Sequence, residues 1–248
     1  MDCYVDTNLL LEFNPLLNKR AILVNFYGCN FNCPFCNSSE LRAFRSDAMT
    51  DISVIKNEIE RVSSNADYIV FSGGEPTLQR LILNSLLRLS KRLGLQAAIQ
   101  TNGSKPYVVR DIISQELADT IILDLKSGFD KESFQASTLS ETFFTSAGQN
   151  LAKIRETLEI LKESKSHVKT IVTTAVVPGL TDSEEALAEV YSIASKLKFE
   201  WVLQRFISST DFGAVRSPEF SEKKALSIFE IQELLGRINK KNIKVRVV

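Results

Sequence analysis

An α/β fold, a partial (β/α)6 TIM-like barrel of parallel strands with outer helices, is what this sequence predicts. Three observations predict it. Short β-rich apolar runs recur along the 248 residues, amphipathic helical patterns lie between them, and the chemically unusual residues cluster where those runs end. In a βα barrel the loops at the C-terminal strand ends converge on one mouth, so chemistry collects there. A single domain of this size is common. It buries enough surface to fold without disulfide staples.

Residues 1–20 read as an N-terminal extension, 21–207 as the barrel, and 208–248 as a C-terminal loop and helix packed on it. Six strands are predicted: Ala21 to Gly28, Tyr68 to Gly74, Leu95 to Gly103, Thr120 to Lys126, Lys169 to Val177 and Trp201 to Ile207. Each is a continuous apolar run ended by turn residues, as expected of parallel strands covered on both faces. The helix after the second strand places Leu78, Leu81, Ile82, Leu86, Leu89 and Leu93 on one face, and Gly94 supplies its stop. Leu151, Ile154, Leu158 and Leu161 repeat that pattern, as do Leu187, Val190, Tyr191, Ala194 and Leu197. A helix over Ile52 to Val62 takes Thr50 or Asp51 as its cap. Pro106 opens another, through Leu117. Ser208 to Ser221 is polar and turn-rich, a loop before a last helix and a terminal strand-like "IKVRVV".

Composition excludes several classes. Thirty Lys and Arg balance thirty Asp and Glu, so nothing in the net charge calls for nucleic acid or an anionic membrane. No apolar run approaches the ~20 residues of a membrane helix. The N-terminus does not read as a signal peptide, and the expected compartment is cytoplasmic, where a tight cysteine cluster is metal-binding or catalytic rather than disulfide-forming.

That cluster is the densest signal. Three of the four cysteines, Cys29, Cys33 and Cys36, fall within eight residues, after the first strand. Structural zinc sites usually pair two knuckles to reach four ligands. No second pair exists here, and the only histidine, His167, precedes the fifth strand at the opposite end, although Cys3 is available as a fourth ligand. A thioredoxin-like reading of "CPFC" leaves Cys29 unexplained. An iron–sulfur cube held at three irons fits better, since full ligation takes four cysteines and three leave one iron open.

The remaining strand ends carry "SGGEP", "QTNG", "DLK", "VVPG" and "LQRF". Gly73 and Gly74 allow close backbone approach to a ligand. Glu75 offers a carboxylate to an ammonium group. Thr101 and Asn102 offer hydrogen-bonding groups, to ribose hydroxyls if the ligand is the nucleoside that the family resemblance below implies, and "NG" is equally a common turn. Asp124 and Lys126 make either a salt bridge or, through Lys126, a carboxylate contact. Val176 and Val177 wall a ring or pack the core. Phe35, before the third cysteine, either packs near a ligand or anchors its loop.

Cys29-x3-Cys33-x2-Cys36 after a first strand, with Gly73-Gly74-Glu75-Pro76 after the second, resembles the radical SAM superfamily over roughly Ala21 to Ile207. The resemblance implies a 4Fe–4S cluster on the three cysteines and S-adenosylmethionine on its open iron. It implies reductive cleavage to a 5′-deoxyadenosyl radical that abstracts hydrogen, with Phe35 near the adenine. "GCNFNCPFCN", "SGGEPTLQ", "TNG", "LDLK" and "VVPGLTD" look most like the glycyl-radical-enzyme activases, of the anaerobic ribonucleotide reductase and pyruvate formate-lyase type. That implies a glycyl radical enzyme as protein substrate and a flavodoxin or ferredoxin as electron donor. Four positions depart from the activase pattern. Gln100 stands for a common Asp, Val172–Thr173–Thr174 for an Arg, Gln204–Arg205–Phe206 for a His, and Asn37 for a His. Arg205 either replaces the lost positive charge or makes a surface salt bridge. One rival is an enzyme resembling 7-carboxy-7-deazaguanine synthase; the other is a non-enzymatic iron–sulfur or zinc module.

Overall fold

The computed structural model describes residues 1–207, 218–238 and 243–248. In chain order its principal elements are β1 (Asp2–Tyr4), β2 (Leu10–Asn14), β3 (Lys19–Phe26), β4 (Met49–Asp51), α1 (Ile52–Val62), β5 (Tyr68–Gly73), α2 (Arg80–Arg92), β6 (Gln96–Thr101) and α3 (Pro106–Ser114). There follow β7 (Thr120–Asp124), α4 (Lys131–Thr138), α5 (Ala147–Glu163), β8 (Lys169–Val176), α6 (Glu184–Leu197), β9 (Glu200–Arg205), α7 (Ile228–Ile238) and β10 (Val245–Val247). All six predicted strands are present, as β3 and β5 to β9. Their order in one sheet is β10-β9-β8-β7-β6-β5-β3-β2, and β1 pairs with β4 apart from it. The β3–β5, β5–β6, β8–β9 and β9–β10 pairings are parallel, and β2 runs antiparallel to β3.

The chain forms two compact units, one of Met1–Asn30, Glu40–Ile122 and Glu156–Lys169, the other of Phe31–Ser39, Leu123–Arg155 and Thr170–Val248. In the first, β3, β5 and β6 bring Ile22, Val24, Ile69, Val70, Phe71 and Ile99 to complete burial. Asp51 caps α1 by accepting from the Ser53 amide, as predicted. After α2, Gly94 takes φ +73° and donates to the Lys91 carbonyl, the left-handed stop that glycine favours. One expected core residue is misplaced. Leu81 stands 71% exposed: the helix proper starts at Arg80 after a 3-10 turn over Pro76–Gln79, and its buried face keeps Ile82, Leu86 and Leu89 and widens towards Leu83 and Leu87, the side away from Leu81. The stretch predicted as an extension contains β1 and β2, too short and too exposed to leave an apolar run.

In the second unit, Leu187, Val190, Tyr191, Ala194 and Leu197 of α6 are buried as expected. The Trp201 indole packs 6.0 Å from Tyr191 and donates to Thr174 Oγ1 at 3.1 Å. The predicted last helix and terminal strand are α7 and β10. Most of the predicted Ser208 to Ser221 loop lies outside the described residues, and Pro218–Ser221 is a helical turn.

Candidate active site

In the first unit the loop ends are tied together by one carboxylate. Glu75 is fully buried. Its Oε1 accepts from the Thr77 amide at 3.1 Å, Thr77 Oγ1 at 2.5 Å and Thr101 Oγ1 at 2.8 Å, and its Oε2 accepts from the Asn102 amide at 2.7 Å. Burial pushes the Glu75 carboxyl above its usual range, and these donors from Thr77, Asn102 and Thr101 pull it part of the way back. The sequence offered Glu75 to a ligand's ammonium and Thr101 and Asn102 to ribose. The structure joins these three to one another, because a carboxylate taken from water needs donors close at hand.

The two glycines have the same local character. A Cβ on Gly73, at φ +102°, would stand 2.5 Å from the Phe26 backbone, and one on Gly74 would stand 2.3 Å from the Gly28 carbonyl oxygen. What they approach is the end of β3. The Gly74 amide donates to Phe26 O at 2.8 Å and the Glu75 amide to Gly28 O at 2.7 Å, so the GGEP turn fixes the backbone just before Cys29. Across that backbone run two more bonds, Gly28 N to Leu41 O at 2.8 Å and Cys29 N to Arg42 O at 2.9 Å. The Phe44 ring fills the place of a Gly28 side chain.

Sequence reasoning missed two residues here. Asn30 accepts from Asn102 Nδ2 at 3.1 Å and donates to Ser104 Oγ at 2.9 Å. Gln79 bonds both backbone groups of Tyr4 and the Tyr27 carbonyl. Both reach across more than fifty residues of sequence, a distance no local pattern encodes. Gln100 accepts from Ser72 Oγ at 3.2 Å.

The second unit holds Cys33, Phe35, Cys36, Asp124, Lys126 and Val177. Cys33 is 6% exposed and the Cys36 amide donates to its carbonyl at 3.3 Å. Burial pushes the Cys33 thiol up to about 11, against the pull of the Lys126 ammonium. Lys126 Nζ lies 2.6 Å from Asp124 Oδ2 and 5.9 Å from the Phe35 ring centroid, within cation–π range. Burial alone would lower the Lys126 pKa, but the adjacent Asp124 carboxylate, by its charge and its hydrogen bond, more than offsets that and the pKa is raised, so the side chain stays protonated. Phe35 meets Phe220 edge-on at 6.4 Å. Val177 is fully buried, its amide donating to Thr181 Oγ1 at 2.9 Å. Arg205 is exposed and donates to the Leu226 carbonyl.

None of the four cysteines is in a disulfide, and Cys3 is buried in the first unit. Among the described residues, no three His, Cys, Asp or Glu side chains converge on a position for a single ion. A cube asks for a wider arrangement, one thiolate to each iron.

A pattern described as the Radical SAM superfamily matches residues 24–190, more than half of the chain. The chain belongs to the radical SAM superfamily. Membership implies a 4Fe–4S cluster and S-adenosylmethionine, and the donor set fits them: three thiols outside any disulfide in one loop, with an ammonium acting on Cys33. A relative from Methanocaldococcus jannaschii, provisionally named a glycyl-radical enzyme activating enzyme, is 29% identical over 93% of this chain and 90% of its own length. A 7-carboxy-7-deazaguanine synthase from Thermococcus kodakarensis is 28% identical over 73% of this chain and 71% of that one. Among solved structures, a radical SAM methyltransferase from Sphaerobacter thermophilus matches with a TM-score of 0.72 at 14% identity, over 97% of this chain and 68% of that one. This likeness shows the fold alone, the α/β partial-barrel class that the sequence predicts. No helix among the described residues is long and apolar enough to cross a membrane.

Proposed function

We propose that this radical SAM protein activates a glycyl radical enzyme, taking hydrogen from a backbone glycine of a protein substrate. The observation that carries the reading is the similarity to a relative named for that activity over nearly the full length of both chains. When bound, the cluster and S-adenosylmethionine supply a carbon radical able to abstract hydrogen. In this reading Cys29, Cys33 and Cys36 hold the cluster. Lys126 presents a permanent positive charge, with Asp124 keeping it oriented, and Phe35 gives it an aromatic floor. Gly73, Gly74, Glu75, Thr101 and Asn102 stiffen the loops at the cofactor site, through backbone groups more than through free side chains. Val177, fully buried, serves as core packing. A flavodoxin or ferredoxin supplies the electron.

The test is anoxic reconstitution. The expected protein binds about four irons, releases 5′-deoxyadenosine from S-adenosylmethionine under dithionite, and gives a glycyl doublet by EPR when mixed with its partner. The deazaguanine synthase likeness supports a second reading. Turnover of a pterin, with no glycyl signal from any glycyl radical enzyme tried, would replace the first reading by the second.

A further inference from the structure

The most exposed aromatic pair described in this protein lies in one turn of the second unit. Phe143 and Phe144 are 96% and 87% exposed, and their rings touch edge-on at 5.1 Å. Two bare phenylalanines are costly on a soluble surface, so the backbone beneath them is informative. Thr142 N donates to Thr145 O at 2.9 Å, and Thr142 Oγ1 accepts from the amides of Phe144 and Thr145 at 3.2 and 3.1 Å. The turn is in turn fastened to both flanking helices. Glu141 N donates to Gln135 Oε1 at 3.2 Å, Glu141 Oε1 accepts from Ala147 N at 3.1 Å, and Asn150 Nδ2 donates to the Ser140 carbonyl at 3.2 Å. The rings therefore stand on a built support rather than on a loose end.

That support is continuous with the cysteine loop. The Asn32 amide donates to the Thr138 carbonyl at the end of α4 at 2.8 Å, and Phe31 packs edge-on against Phe134 at 5.8 Å. Both lie in the same unit as the turn. A molecule seated on Phe143 and Phe144 thus sits one short helix away from residues adjoining Cys33.

The geometry points to this turn as an anchor that the protein substrate's surface grips in an apolar pocket, a reading that rests on the function proposed above. Charge and size select this occupant. No Lys or Arg occurs between Glu132 and Ala152, so the turn lacks the basic groups that an acidic redox carrier or an anionic membrane would require. Two phenylalanines bury about 300–500 Å², less than the ~800 Å² each side of a stable interface contributes. The pair is thus a hot spot within a larger contact, not a self-sufficient dimer face. Its preorganised backbone reduces the ordering cost of docking.

The experiment uses reconstituted protein loaded with S-adenosylmethionine, with purified anaerobic ribonucleotide reductase and pyruvate formate-lyase as probes, and measures affinity anoxically. The expected result is that wild type binds one of them and that the Phe143→Ala/Phe144→Ala double variant binds it about 100-fold more weakly. Phe229→Ala, at a position 67% exposed on α7, should bind as wild type. All three proteins should share one thermal midpoint and one rate of 5′-deoxyadenosine release without partner. A double variant that binds as tightly as wild type, or a Phe229→Ala loss of equal size, overturns the anchor while leaving the activase reading intact. A wild-type dimer that the double variant dissociates also overturns it, by making the turn a self-contact. Wild type that cleaves S-adenosylmethionine, binds neither probe and turns over a pterin removes the activase reading, and the anchor with it.

Discussion

The two units stiffen their loops by different means. In the first, the polar side chains at the strand ends are spent on one another: Glu75 is consumed by Thr77, Thr101 and Asn102, and Asn102 is shared with Asn30. In the second, a charged pair is kept close to the cysteine loop, and the Lys126 ammonium acts on the buried Cys33 thiol. One arrangement fixes shape and the other fixes field. The polar side chains at the strand ends of the first unit brace one another, whereas in the second unit a charge is held beside a buried thiol.

The hardest blow to this contrast is Cys33→Ser. Bound iron should fall from about four per chain to near zero, measured by chelator assay after anoxic reconstitution. Unchanged iron would remove Cys33 from the ligand set. Next comes Glu75→Ala, which strands several buried donors and should cost about 3 kcal/mol or more in denaturant unfolding of the metal-free protein. Glu75→Gln, which keeps one acceptor, should cost less. A loss below about 1 kcal/mol would show that the carboxylate is not a brace.

A thiol held near 11 reacts slowly, because the thiolate is the nucleophile. In metal-free protein at pH 8, iodoacetamide should modify Cys33 about 100-fold more slowly than an ordinary thiol. Its rate should climb tenfold per pH unit well beyond pH 9, where an ordinary thiol levels off. Lys126→Met, which removes the opposing ammonium, should slow it further. A Cys33 labelling rate equal to that of an ordinary free thiol, followed by peptide mass spectrometry, would contradict the field described here. The smallest effect is Thr101→Val. Glu75 Oε1 keeps two donors from Thr77, so about 1 kcal/mol is expected by thermal unfolding.

Legibility in the sequence followed physical contrast. β3 and β5 to β9 were readable to within two or three residues at most ends because buried parallel strands are unbroken apolar runs. β1 and β2 gave no such run, since their residues are largely exposed, and α4 carries a single apolar core side chain, Phe134. At the site, the cysteine spacing and the GGEP and TNG turns were visible as motifs. Their partnership was not, because the Glu75–Thr101 and Asn30–Asn102 bonds join residues 26 and 72 positions apart. A motif shows which groups are present but not which of them are already engaged.

Glu75 Oε1 takes three donors from two separate loops onto one oxygen. A tug on either loop is therefore felt by the other through a shared atom, with no slack side chain between them. Whatever leans on the TNG bend leans, by that route, on the backbone leading to the first cysteine.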